Sequence, residues 1–159
     1  MRLELLTVNP NLANSVPAKN HTFIAYGEPL ERLDYRQTAY LFSNIVFDGL
    51  EATLRPGGHV EPERVEDDLP KLVDALRDHG LELTMMASDI NRVDQPLSET
   101  VLRTAASLKI PHYRMKGYMY DLQKPIPPQL TALLPVVADL AALNAELGIT
   151  GLIHNHAGV

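Results

Sequence analysis

The feature that most constrains this chain is a regular alternation of two kinds of segment. Short apolar or β-branched stretches at 22–26, 48–55, 81–88, 112–118 and 150–156 are separated by stretches of helical periodicity. Those begin near Asp34, Pro62, Ser98 and Pro127. Strands alternating with helices imply βαβ units, because each helix carries the chain back so that the next strand runs parallel to the last. The expected fold class is therefore α/β with a parallel sheet. Residues 1–20, rich in Asn and Pro, read as an arm or loop ahead of a single domain at 21–159.

The helix signals have physical content. The Asp34 carboxylate can accept free N–H groups of a first turn, and Pro62 suits a first helical position, where its missing N–H costs nothing. Beyond it Val65, Leu69, Leu72, Val73 and Leu76 recur at helical spacing, and Gly80 supplies a left-handed stop. Pro70 predicts a kink in that helix or a break into two pieces. Ser98 is a candidate cap for a third helix with an inward face of Val101, Leu102, Ala105 and Leu108. A fourth has a stripe of Leu130, Leu133, Leu134, Val137 and Leu140, with Pro135 inside it and Gly148 at its end.

Composition narrows the function classes. At 159 residues the chain can bury roughly 70 % of its unfolded surface, enough for one real core. With 14 basic against 20 acidic residues and a net charge of −6, it lacks the basic stripe that nucleic acid requires. Cysteine is absent, which removes disulfides, zinc–thiolate sites and thiol nucleophiles. Uninterrupted apolar runs fall short of the roughly 18 residues of a membrane span, and residues 1–13 hold no apolar signal core. A cytoplasmic protein without nucleic-acid or membrane partners is the expectation.

The strand ends carry the polar chemistry. Side chains on a strand alternate faces, so Glu51, Thr53 and Arg55 share one side and Leu50, Ala52 and Leu54 the other. The apolar set must pack on helices, which sends the polar set to the opposite face. His112, Arg114, Lys116 and Tyr118 share a face on the fourth segment, as do His154 and His156 on the fifth. Polar residues at the ends of strands in a βα array lie where such folds place ligands; the alternative is that each is solvated or paired with a neighbour. Two imidazoles at i and i+2 can bind one metal, but they fall short of the three or four ligands a site needs. In Arg55-Pro56-Gly57-Gly58-His59-Val60 two glycines let a ligand approach the backbone. His59 would then sit at the mouth beside Arg55, or else only pack within a tight turn. Arg55, His59, Arg114 and Lys116 together suit a phosphate, carboxylate or polyhydroxy ligand.

The order of these motifs carries a resemblance. Asp48-Gly49-Leu50-Glu51 is followed by Arg55-Pro56-Gly57-Gly58-His59-Val60-Glu61-Pro62-Glu63, Asp68-Leu69-Pro70 and Ser88-Asp89-Ile90. Then come Tyr113-Arg114 with Tyr118 and Tyr120, and His154-Asn155-His156-Ala157-Gly158. Over 22–158 the set resembles the sugar phosphate isomerase/epimerase family, the xylose-isomerase-like TIM barrels. The resemblance implies a partial (β/α)8 TIM barrel, since a closed barrel takes about 250 residues; about five parallel strands and four helices fit here, and the barrel does not close within this chain. It also implies a divalent metal (Mn, Mg, Zn or Co) and proton transfer next to a sugar carbonyl through paired carboxylates. In the family those groups come from strands five to eight. Only the fifth-strand position is present, and there His154 stands where many members carry Glu; Val46 likewise replaces a usual helix-ending Gly. By this reading Glu51 is the candidate catalytic carboxylate, and Arg55, His59, Arg114, Tyr118 and His156 bind a sugar or sugar phosphate. His154 supplies part of a metal site. Exposed edges at the first and last strands predict self-association into a homo-oligomer. The alternative function is a non-catalytic module that holds a carbohydrate or anion.

Overall fold

The computed structural model describes residues 21–45 and 47–154. The arm at 1–20, the helix-end position Val46 and the candidate ligand His156 lie outside the described residues. The chain runs β1 (Ile24–Tyr26), α1 (Tyr35–Ser43), β2 (Gly49–Leu54), α2 (Val65–Arg77), β3 (Glu82–Ser88), α3 (Ser98–Ser107), β4 (His112–Arg114), α4 (Ile126–Leu147) and β5 (Thr150–Leu152). All five strands are parallel and lie in sequence order, β1-β2-β3-β4-β5. This is the α/β parallel sheet that the alternation predicts and the partial TIM barrel that the resemblance implies; among the described residues β1 and β5 are its edge strands.

Packing follows from the two-residue period of the strands. Leu50, Ala52 and Leu54 are 0–2 % exposed, and Met86 and Tyr113 continue the same face across β3 and β4. Against them lie Val65, Leu69, Leu72, Val73 and Leu76 of α2 and Val101, Leu102 and Ala105 of α3, all buried. Each of the fully buried leucines contributes about 1.5–3 kcal/mol through loss of water contact. The other face carries Tyr26, Glu51, Met85 and His112 in register, then Thr53, Ala87, Arg114 and Leu152.

Local details depart from the sequence expectations in physically readable ways. Strands β2, β4 and β5 end at Leu54, Arg114 and Leu152, so Arg55, Lys116, Tyr118 and His154 sit in the loops that follow rather than on strands. Asp34 does cap α1, accepting from the Gln37 N–H at 2.8 Å while the Gln37 side chain accepts from the Asp34 N–H. Ser98 is not a cap: Leu97 holds that place in a left-handed conformation, and the Ser98 hydroxyl is buried inside the first turn. Pro70 does not break α2. The interruption falls earlier, at Arg64, between a 3-10 turn at Pro62–Arg64 and the helix proper.

Helix α4 is the largest correction. Only Leu140 and Leu143 of its 22 residues are buried, whereas Leu130, Leu134 and Val137 of the expected inward stripe are exposed. By length and composition it is also the one described helix apolar enough to cross a membrane, which short uninterrupted runs did not foretell. Its C-terminal half docks as the other helices do. Glu146 pairs with Arg103 of α3 at 2.9 Å, and Asn144 accepts from the buried Tyr113 hydroxyl at 3.1 Å.

Three helix-to-strand turns repeat one device. The N–H groups of Leu81, Ile110 and Ile149 donate back to the carbonyls of Leu76, Ala105 and Asn144, and all three apolar side chains are buried. The residue before each is left-handed: Gly80, Lys109 and Gly148, with φ of 72°, 65° and 66°. Glycine meets this conformation freely, while a side chain at Lys109 pays about 1–2 kcal/mol, partly offset by the greater unfolded freedom of glycine. Replacing Lys109 with Gly is expected to stabilise the fold by up to about 1 kcal/mol and raise Tm by about 2–4 °C. Thermal unfolding followed by circular dichroism checks this.

Candidate functional site

The face turned away from the helices is concave, and one side chain shows it. Arg114 extends from β4 so that its guanidinium lies 4.4 Å from the ring centre of Tyr26 on β1. Three strand spacings separate β1 from β4, about 14 Å in a flat sheet, so the sheet must curl for the two side chains to meet. On the way Arg114 Nε comes within 2.9 Å of Glu51 Oε1 on β2. Its Nη1 lies 3.3 Å from His154 Nδ1 just beyond β5. One cation thus joins groups from four strands.

Around it lies an open cavity of about 370 Å³ lined by Glu51, Met85, Arg114, Leu152, Ile153 and His154. That volume lies within the range of about 300–1,000 Å³ typical of small-molecule sites. Glu51 and Arg114 retain 13 % and 20 % side-chain exposure, so each is mostly desolvated yet reaches the cavity. Glu51 Oε1 is itself buried, with the Arg114 guanidinium as its ionic partner. Three of the sequence candidates, Glu51, Arg114 and His154, therefore meet at one place.

Arg55 stands apart from them. Its guanidinium is paired with Glu28, and Glu31 lies 3.5 Å away. The Arg55 hydrogen bond, with a second from the Tyr26 hydroxyl, holds the Glu28 carboxyl below its ordinary range. Lys116 has Asp89 at 3.8 Å. Each cation expected to form an anion site thus has a carboxylate beside it. The two glutamates went unnoticed in the sequence because their partners are 22 and more residues away; Tyr26 and Glu28, two apart at the end of β1, were the available signal.

His59 is corrected most plainly. It is 7 % exposed and lies beneath the rim, not at the mouth. The turn that buries it needs both glycines: Gly57 is left-handed at φ 76°, and a side chain on Gly58 would meet the Thr53 carbonyl at 2.8 Å. Thr53 donates its single hydroxyl proton to Glu31 at 2.6 Å. The same hydroxyl accepts from the His59 backbone N–H at 3.0 Å and lies 2.8 Å from the ring Nδ1, and the Thr53 N–H donates to Nδ1 at 3.3 Å. Tyr118 is likewise occupied structurally. Its hydroxyl donates to the Asn91 carbonyl at 2.6 Å and ties the loop after β4 to the loop after β3.

The described residues supply only part of a donor set for a divalent metal. A catalytic site takes about three protein ligands, and among the described residues no group of three His, Cys, Asp or Glu gathers. Glu51 and His154 instead face a guanidinium.

Burial pushes the His59 imidazole below its ordinary pKa, with the nearby Glu31 charge offsetting only part of the effect. In the unfolded chain His59 titrates near its usual value of about 6.5, so as pH falls through that value the unfolded state takes up a proton that the folded state resists. Stability should therefore drop as pH falls below about 6.5. In His59→Asn, thermal midpoints between pH 7 and 5 are expected to decline less steeply than in the parent chain. Equal slopes would contradict the assignment.

Comparison with protein-family models and with curated proteins finds no match. Among solved structures the chain is similar to the apo form of 3-keto-D-glucoside 4-epimerase, YcjR, from E. coli. The TM-score is 0.58 at 12 % identity, over 84 % of this chain and 56 % of that one. The chain thus spans little more than half the length of that protein. At this identity the likeness concerns the fold, and the fold this chain shares with a sugar epimerase is that of a partial TIM barrel.

Proposed function

We propose that this chain forms the sugar-binding side of an isomerase- or epimerase-type barrel and takes a small, neutral keto sugar. The observation that carries the reading is the Glu51–Arg114–His154 constellation on the concave face, with Glu51 midway along β2 and Arg114 and His154 at the C-terminal ends of β4 and β5. Such strand ends are where parallel βα folds bind ligands. The paired groups offer both donors and acceptors at short range, which suits a ligand whose oxygens do both. A phosphate dianion suits it less. It would have to approach Glu28, Glu31, Glu51 and Asp89 together with the three cations those carboxylates already neutralise. The fold of the E. coli epimerase supports the same substrate class.

Among the described residues, Glu51 is the one carboxylate lining the cavity, and it is paired. A proton moved next to a carbonyl needs a base within reach, and Glu51 is the available group. That single carboxylate also favours the second reading, a binding module that holds a sugar without turning it over.

Saturation-transfer NMR with D-fructose and D-fructose 6-phosphate tests binding, and incubation in D2O tests proton exchange at the carbons next to the carbonyl. Fructose is expected to bind better than its phosphate. Exchange that Glu51→Gln abolishes would establish the base; binding without exchange would establish the module. Preference for the phosphate would defeat the neutral-sugar reading.

A further inference from the structure

We propose that a second small-molecule site lies behind the N-terminal ends of β3 and β4, where Arg77 and Lys109 take a small hydroxy-carboxylate. The proposal is independent of the sugar reading above. Every residue it uses lies between α2 and the start of β4, and none lines the concave cavity.

The ground is a cavity of about 230 Å³ between α2, the first residues of β3 and the turn that joins α3 to β4. Arg77, Glu82, Thr84, Leu108 and Lys109 are on its walls. Arg77 crosses from α2 to the turn, where its Nη2 donates to the Leu108 carbonyl at 3.3 Å. That bond fixes the guanidinium at the wall and leaves its other N–H groups to donate elsewhere. Among the described residues neither Arg77 nor Lys109 is paired with a carboxylate. In this they differ from Arg55, Arg114 and Lys116 on the concave side.

Two backbone irregularities meet at the same cavity. Lys109 is held at φ 65° in a turn whose two counterparts have glycine. Strain of this kind clusters at ligand sites; glycine would meet the turn at lower cost, and what the lysine adds is a cation at the cavity wall. The other irregularity is a bulge in β3. Leu83 pairs with Leu50 and Met85 with Glu51, which leaves Thr84 as an extra residue. A bulge re-aims side chains. Thr84 lines this cavity with Arg77, while the next residue, Met85, lines the concave one.

The charges set the ligand class. Arg77 and Lys109 are opposed by Glu82 on the same wall, so the balance is a single positive charge. A carboxylate neutralises it; a phosphate dianion overshoots and is repelled by Glu82. Guanidinium and ammonium donors hold the carboxylate, and the Thr84 hydroxyl and Glu82 accept from hydroxyls on the adjoining carbons. The volume is below the range of about 300–1,000 Å³ usual for drug-sized ligands, which favours a compact acid over a nucleotide.

The test titrates the 15N-labelled chain with D-glycerate. Acetate and inorganic phosphate serve as comparators, with sodium chloride holding the ionic strength constant. D-glycerate is expected to give saturable shifts centred on the amides of Thr84, Leu108 and Lys109, and to bind more tightly than either comparator. Its affinity should fall about tenfold in Lys109→Gly and in Arg77→Gln, as for loss of a charged hydrogen bond. Lys109→Gly is the sharper variant, because it is expected to raise Tm while it weakens binding. A damaged fold cannot imitate that pair of changes. Should Arg77→Gln fail to fold by circular dichroism, Lys109→Gly decides alone. Shifts that grow without saturation, unchanged affinity in Lys109→Gly, or tighter binding of phosphate or acetate than of glycerate would each overturn the proposal.

Discussion

A strand that is covered on one side only must divide its residues between two solvents, and in this chain that division governs the rest. Leu50, Ala52 and Leu54 go to the helices because leaving three such side chains in water would forfeit several kcal/mol. Their alternates, Glu51 and Thr53, have no choice but the opposite face, and Arg55 follows in the loop just beyond. There the curling sheet brings them near residues of other strands. The polar groups are thereby crowded into a concavity where water is scarce and each charge needs a partner. Arg114 with Glu51, Arg55 with Glu28 and Glu31, and Thr53 with Glu31 and His59 are the solutions found.

This accounts for a site that is polar but not strongly charged. Ion pairs in such a setting offer less net attraction to an anion than their arginines suggest, since each guanidinium already has a carboxylate beside it. They offer more shape, because paired side chains are held in fewer rotamers. A ligand rich in hydroxyls gains from fixed donors and acceptors; a highly charged one gains little.

What could be read in advance was whatever depends on local spacing. The five buried positions of α2, the Asp34 cap and the left-handed Gly80 and Gly148 all follow from contacts within one helical turn. So did the two faces of β2. What escaped depends on contacts across the fold. Periodicity in α4 marks an apolar stripe but not whether anything lies against it, and Leu130 and Leu134 turn out exposed. His59 was placed beside Arg55 because the two are close in sequence, yet the Gly57–Gly58 turn folds it back under Thr53. Glu28 and Glu31 were passed over because Arg55, their partner, stands 24 or more residues further along the chain, although Glu28 does follow Tyr26 at the end of β1.

The sequence-ordered sheet has a consequence for how the molecule comes apart. Every strand neighbours only the strands that precede and follow it in the chain, so cohesion is transmitted from one unit to the next, much as in a stacked repeat protein. The central β2–β3 pair has the longest register, whereas β1, β4 and β5 are three residues each. Opening should therefore begin at the margins and travel inward, detaching β5 and its His154 while the α2–β3 centre stays folded. A site assembled from four strands is then only as persistent as its least anchored member, and occupancy by a ligand that bridges Glu51 and His154 would slow the fraying of the outer edge.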